Sequence, residues 1–148
     1  MTPPSTTTMG DFDITAPLPT GTVLLEASAG TGKTWTIAAL VTRYVAEGVA
    51  ALEEMLIVTF GRAASQELRA RVREQLVGAE AALADTIART DVGSREPANS
   101  AATDYSTDDL LRLLTDAPAD ELRLRHTRIR AALTHFDAAT IATTHQFC

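Results

Sequence analysis

The only lysine of the chain, Lys33, stands in Glu26-Ala27-Ser28-Ala29-Gly30-Thr31-Gly32-Lys33-Thr34, directly after the apolar run Thr22-Val23-Leu24-Leu25. A phosphate-binding loop needs a short buried strand, a run of small residues, and Gly-Lys-Thr opening a helix, and all three parts occur here in that order. Gly30 and Gly32 let the backbone curl so that successive N–H groups converge on one anion, and the helix that follows adds its dipole to the same point. In such a loop Ala27 to Thr34 bind the nucleotide: Ala27, Ser28, Ala29, Gly30, Thr31 and Gly32 cradle phosphate, Lys33 reaches the β/γ-phosphates, and the Thr34 hydroxyl holds Mg²⁺. The implied ligands are ATP and Mg²⁺. Ala27 stands where the pattern usually has glycine. The plainer alternative is a glycine-rich turn carrying a solvated lysine; the strand before it and the apolar-rich helix after it, Trp35 to Val45, argue for the nucleotide site.

Two other segments carry polar or aromatic groups at the end of a β-branched run. Met55-Leu56-Ile57-Val58-Thr59 leads into Phe60-Gly61-Arg62, and Ala138-Ala139-Thr140-Ile141-Ala142-Thr143-Thr144 leads into His145. Strands are expected over 22–27, 55–59 and 138–144. Helices are expected over 33–47, closed by Gly48, over 62–77, stopped by Gly78 and weakly resumed over 79–89, and over 110–114 and 120–136. Leu122, Ile129, Leu133 and Phe136 are the inward residues expected of the last helix. Strands alternating with helices predict an α/β fold, a parallel sheet with flanking helices, and ligands gather at the carboxyl ends of such strands. The phosphate loop, Thr59–Arg62 and Thr143–His145 would then share one rim. Residues 1–21, with Pro17, Pro19 and Gly21, read as a disordered tail and lead-in, and 91–109, rich in Ser, Thr and Asp, as a mobile linker.

With 148 residues the chain can bury one core, and its 45% hydrophobic and 22% charged residues are ordinary for a globular domain. No run is long and apolar enough for a membrane span, and the N-terminus lacks the features of a secretory signal, so the cytoplasm is the expected compartment. A lone cysteine, Cys148, excludes an internal disulfide and supplies no metal cluster. The net charge of −6 carries no global signature of nucleic-acid binding. Arginines nevertheless cluster at 62, 69, 71 and 73, and at 123, 125, 128 and 130; the second cluster reads as a solvated helix face.

Taken together, the three segments resemble the opening of the UvrD/Rep-type superfamily 1 DNA helicases, and among them the RecB-type branch. Leu25 to Thr34 resembles helicase motif I in its RecB form. Ile57-Val58-Thr59-Phe60-Gly61-Arg62-Ala63-Ala64-Ser65-Gln66-Glu67-Leu68-Arg69 resembles motif Ia, and Thr143-Thr144-His145-Gln146-Phe147-Cys148 resembles the Thr-x-His-x-Phe-Cys segment that follows it. The resemblance implies that residues 22–148 are part of a P-loop NTPase (RecA-like) helicase domain. It also implies that Thr59, Phe60, Arg62, Thr143 and His145 touch single-stranded DNA. Aromatic faces stack on any base, and hydroxyls and arginines hold phosphate without reading sequence. For Phe60 a core position at the strand end is the competing expectation. Gly61 replaces the second threonine of motif Ia, Gln146 stands where a small residue is common, and no glutamine precedes the loop to read adenine.

By the same resemblance the parent protein is an ATP-dependent helicase and exodeoxyribonuclease subunit in double-strand-break repair. Its partners would be single-stranded or duplex-end DNA and RecC- and RecD-like subunits. No apolar run of this chain ends in the Asp-Glu pair that a motor needs, so the chain reads as the N-terminal portion of a longer protein that binds nucleotide and single strands weakly, without turnover. Two rival readings are a complete small P-loop kinase or nucleotidase, and a non-catalytic nucleotide-binding module.

Overall fold

The computed structural model describes residues 12–26, 32–93, 109–138 and 140–143. Four helices and two strands follow in the order α1 (Lys33–Ala46), β1 (Leu56–Thr59), α2 (Arg62–Asp91), α3 (Asp109–Thr115), α4 (Ala119–Thr134) and β2 (Thr140–Thr143). Leu52–Glu54 and Phe136–Ala138 form single 3₁₀ turns ahead of the strands. β1 and β2 pair in parallel, with Leu56 opposite Thr140 and Thr59 opposite Thr143.

The core is built on α2. Leu68, Val72, Leu76, Ala79 and Leu83 recur at three- and four-residue spacings, and all are buried. Against them pack Ala38, Val41 and Val45 of α1, Leu110 and Leu114 of α3, and Leu122 and Ile129 of α4. Phe136 and Ile141 continue the same core towards the strands. Of the four inward residues expected of α4 and its end, Leu122, Ile129 and Phe136 are buried and Leu133 is half-buried, while Ala132 joins them.

α1 ends as the sequence predicts. Gly48 takes φ 72°, its N–H bonds the carbonyl of Val45, and the N–H of Val49 bonds that of Tyr44, the paired bonds of a Schellman cap. Arg128 of α4 completes the cap from outside. Its Nη1 donates to the carbonyl of Ala46 at 3.1 Å, and its guanidinium lies where a Cβ on Gly48 would come within 2.6 Å. A cation at a helix C-terminus also meets the negative end of the dipole.

Several expectations fail for identifiable reasons. Gly78 does not stop α2, which runs unbroken for 30 residues. The roughly 1 kcal/mol that glycine costs inside a helix is outweighed by burial of Ala79, Ala82 and Leu83 immediately beyond it. Residues 22–26, the described part of the expected first strand, pair with neither β1 nor β2, and Val23, Leu24 and Leu25 are exposed. A strand exists only through a hydrogen-bonded neighbour, and among the described residues none lies alongside them. The described sheet therefore has two strands, not three.

The lead-in is not a loose tail over residues 12–20. Ile14 is buried, Nη1 of the buried Arg43 donates to the carbonyls of Ile14 (2.7 Å) and Ala16, and the Tyr44 hydroxyl donates to the carbonyl of Pro19. Arg43 is neutralised by Glu47 one turn on, at 2.6 Å, so its charge is buried with a partner. Residues 1–11 lie outside the described residues. So does most of the expected linker: Asp91 ends α2, 92 and 93 form a turn, 94–108 are not described, and Asp109 opens α3.

The second arginine cluster is not simply a solvated face. Arg125 is held by Glu121 (3.1 Å) and the carbonyls of Leu113 and Leu114, Arg123 pairs with Asp91, and Arg128 caps α1. These side chains tie α4 to the C-terminal ends of α3, α2 and α1, where helix carbonyls are otherwise without partners.

Two glycine substitutions separate backbone strain from backbone freedom. Gly48→Ala is expected to destabilise the fold by about 1–3 kcal/mol, through positive φ and the displaced Arg128. Gly78→Ala, whose new Cβ meets nothing within 4 Å, should stabilise by roughly 0.5–1 kcal/mol. Urea denaturation of both variants checks the opposite signs. Asp13 accepts hydrogen bonds from the Thr15 hydroxyl (2.6 Å) and N–H (2.8 Å), which hold its carboxyl below the usual 3.8. That turn contributes fully above the ordinary aspartate range and loses its contribution as pH falls through the lower native value. An NMR titration of Asp13 should give a midpoint below 3.8.

Candidate nucleotide and nucleic-acid sites

The N-terminus of α1 carries no acidic residue in its first turn. Gly32, its cap residue, has φ 87°, and among the described residues no side chain caps the helix. The leading N–H groups and the dipole are thus left for an external acceptor. Lys33 is exposed and Thr34 half-exposed, and Lys33 forms no ion pair with a carboxylate among the described residues. α3 and α4, by contrast, carry Asp109, Asp120 and Glu121 in their first turns. Ala27, Ser28, Ala29, Gly30 and Thr31 lie outside the described residues, so the cradle is visible only from Gly32 onward.

Gly32, Lys33, Thr34 and Trp35 open onto a cleft of about 800 Å³. Its far wall comes from α2 through Glu67, Arg71, Glu74, Gln75 and Gly78. Those wall positions were missed from sequence, although their spacing of four, three, one and three residues marks one polar helix face. What the spacing could not give is the neighbour that this face meets. Arg71 and Glu74 are exposed and paired at 2.9 Å, a contact worth little in itself.

The second site lies where β1 and β2 end together. Thr59 and Thr143 are register partners, so the two strand ends expected to share a rim do share it. Phe60, immediately beyond, is 96% exposed and is not part of the core formed by the described residues. The Thr59 hydroxyl is shared with the Ser65 hydroxyl and bonds the Gly61 carbonyl at 3.2 Å, fixing the turn into α2. Arg62 is exposed at the first position of a helix that again has no side-chain cap and no acidic residue in its first turn. Thr143 is buried, 4% exposed, so its side chain is not open on the rim as expected. It lies beside Thr59 on β2, a strand that packs against α2. His145 lies outside the described residues.

Residues 12–148 match the model of the UvrD/REP helicase N-terminal domain, from the first described residue of the lead-in to the end of the chain. The chain belongs to the UvrD/REP helicase family. Membership carries with it the P-loop NTPase fold. Over 139 residues the chain is 53% identical to the RecBCD enzyme subunit RecB of Mycolicibacterium smegmatis, covering 93% of this chain and 11% of that protein. The protein of the same name from Mycobacterium tuberculosis is 48% identical over 142 residues, 95% of this chain and 11% of its own length. That of Escherichia coli is 52% identical over 64 residues, 38% of this chain and 5% of its own length. The chain thus spans about a tenth of the length of the mycobacterial relatives it matches. No helix among the described residues of this UvrD/REP domain is long and apolar enough to cross a membrane, and no group of three or more His, Cys, Asp or Glu among them is placed to hold a metal.

Ser65 offers a local check on the motif Ia turn. Ser65→Ala removes the partner of the Thr59 hydroxyl and is expected to cost about 0.5–1.5 kcal/mol of stability, read by thermal denaturation.

Proposed function

We propose that this chain is the N-terminal ATP-binding portion of a RecB-like, ATP-dependent DNA helicase subunit that acts in double-strand-break repair and recombination. The observation that carries the reading is the uncapped, acid-free N-terminus of α1 with Lys33 and Thr34 open to a cleft, in a chain of the UvrD/REP family. Lys33 binds the β/γ-phosphates, Thr34 holds Mg²⁺, and residues 27–32 supply the backbone cradle. Bound Mg²⁺–ATP supplies the phosphoryl group and part of the charge that offsets its negative oxygens. Thr59, Phe60 and Arg62 line the path of single-stranded DNA, joined by His145. The fuller parallel sheet of a RecA-like domain completes this arrangement. The parent protein carries exodeoxyribonuclease V activity, works in the cytoplasm, and assembles with RecC- and RecD-like subunits on duplex ends; the relatives' name, RecBCD enzyme subunit RecB, supports the assembly.

The chain itself has no apolar run ending in Asp-Glu to orient an attacking water, so it binds nucleotide and single strands weakly and turns over negligibly. Two measurements test the reading. Lys33→Ala should weaken binding of a fluorescent ATP analogue by about 10- to 100-fold, the loss of one hydrogen-bonded charge contact. Phe60→Ala should weaken binding of a labelled oligothymidylate by about 5- to 100-fold, the loss of one stacked base. DNA-stimulated ATP hydrolysis by this chain alone would contradict the absence of turnover. Phosphate transfer to a small acceptor, indifferent to DNA, would favour a small kinase instead.

A further inference from the structure

The arginines of α2 divide into two sets by their partners. Arg71 pairs with Glu74 at 2.9 Å and Arg89 with Asp85 at 3.0 Å. Arg62, Arg69 and Arg73 form no ion pair among the described residues. At about 100° per residue these three lie within about 20° of one line along the helix, and Arg71 and Arg89 fall on the opposite side. The line starts beside Phe60, 96% exposed, and descends about three turns. A chain of net charge −6 therefore presents a straight row of cations without carboxylate partners among the described residues, and it adjoins the exposed aromatic ring.

Phe136 holds the lower part of the row in place. Its ring is buried, 4% exposed, with the guanidinium carbons of Arg69 and Arg73 at 5.5 and 5.7 Å from its centroid. Such contacts restrict long side chains while leaving their charge, and most of their N–H donors, unspent. Arg69 uses one donor on the carbonyl of Asp137, at 3.3 Å. The carboxylate of Asp137, though exposed nearby, pairs with none of the three. Arginines already ordered lose less entropy when they bind.

We propose that Arg62, Arg69 and Arg73 form a phosphate-binding row, with Phe136 as its positioning residue, that carries the backbone of a single nucleic-acid strand away from Phe60 along α2. The proposal rests on the single-strand reading of the Thr59–Arg62 rim and adds to it a direction, a second contact zone and a residue that orients it.

The test is equilibrium binding of labelled oligothymidylate to the full chain at stepped salt concentrations, with helix content checked by circular dichroism. Each phosphate neutralised on a single strand adds about 0.7 to the steepness of log K against log salt. Arg69→Gln and Arg73→Gln should each lower that slope by about 0.7 and weaken binding. Arg73→Lys, which keeps the charge, should restore the slope; Arg89→Gln should leave it unchanged. Phe60→Ala should weaken binding without changing the slope. Arg73 is exposed, so its variants are the ones least able to disturb folding. If both glutamine variants keep the parental slope while Phe60→Ala still weakens binding, the row is overturned and the rim stands. Failure of the parental chain to bind any single strand overturns both. A slope change seen on a duplex of equal length, but not on oligothymidylate, overturns the single-strand assignment.

Discussion

Everything in this structure leans on α2. It is in contact with α1, α3, α4, β1 and β2, and it can serve all of them because an α-helix of 30 residues has several faces to spend. One face, Leu68 to Leu83, is the core. A second, Glu67 to Gly78, walls the cleft in front of Lys33. A third carries Arg62, Arg69 and Arg73. These faces are fixed relative to one another by the helix itself, so the cleft in front of Lys33 and the Thr59–Arg62 rim are held in a set geometry without any loop between them. Gly78 inside the helix is the concession: the local cost of glycine is accepted because interrupting the helix there would detach Ala82 and Leu83 from the core.

Charge is distributed by helix end rather than by composition. The first turns of α1 and α2 lack acidic residues and side-chain caps, whereas those of α3 and α4 carry Asp109, Asp120 and Glu121. In α3 and α4 these carboxylates face the positive end of the helix dipole, whereas the first turns of α1 and α2 hold no such charge. At the opposite ends, Arg125 and Arg128 serve the carbonyls of α3 and α1. The acidic total of the chain conceals this ordering, because net charge sums over carboxylates from every element, Glu67 and Glu74 of the cleft wall among them.

What was legible in the sequence is what local pattern determines. The starts of α1 and α2, the Gly48 cap, both strands and the convergence of Thr59 with Thr143 follow from period, turn residues and the parallel crossover rule. What was not legible depends on neighbours. Val23 to Leu25 have the composition of a strand but no adjoining backbone among the described residues. The burial of Arg43 beneath Ile14 and Ala16 left no sign in a lead-in that reads as proline-broken coil. Thr143 was read as a rim residue from its place at a strand end, yet it is buried, and burial is set by tertiary neighbours that a local pattern does not name. The walls of the cleft were present as a helical spacing, yet nothing in the chain says that this face turns towards Lys33. The phosphate cradle itself, Ala27 to Thr31, is known here from sequence alone.

The pairing of Leu56 with Thr140 and the reach of Arg128 to Ala46 both join positions more than eighty residues apart. During synthesis β1 therefore leaves the ribosome long before its partner. At about 5–20 residues per second the interval is roughly 4 to 16 seconds. Throughout it Leu56 to Thr59 lack the β2 partner that they have among the described residues, and α1 lacks the guanidinium that finishes its cap. Nascent chains of this domain thus pass through an interval in which the first strand must wait, and this pairing forms only as Thr140 to Thr143 emerge.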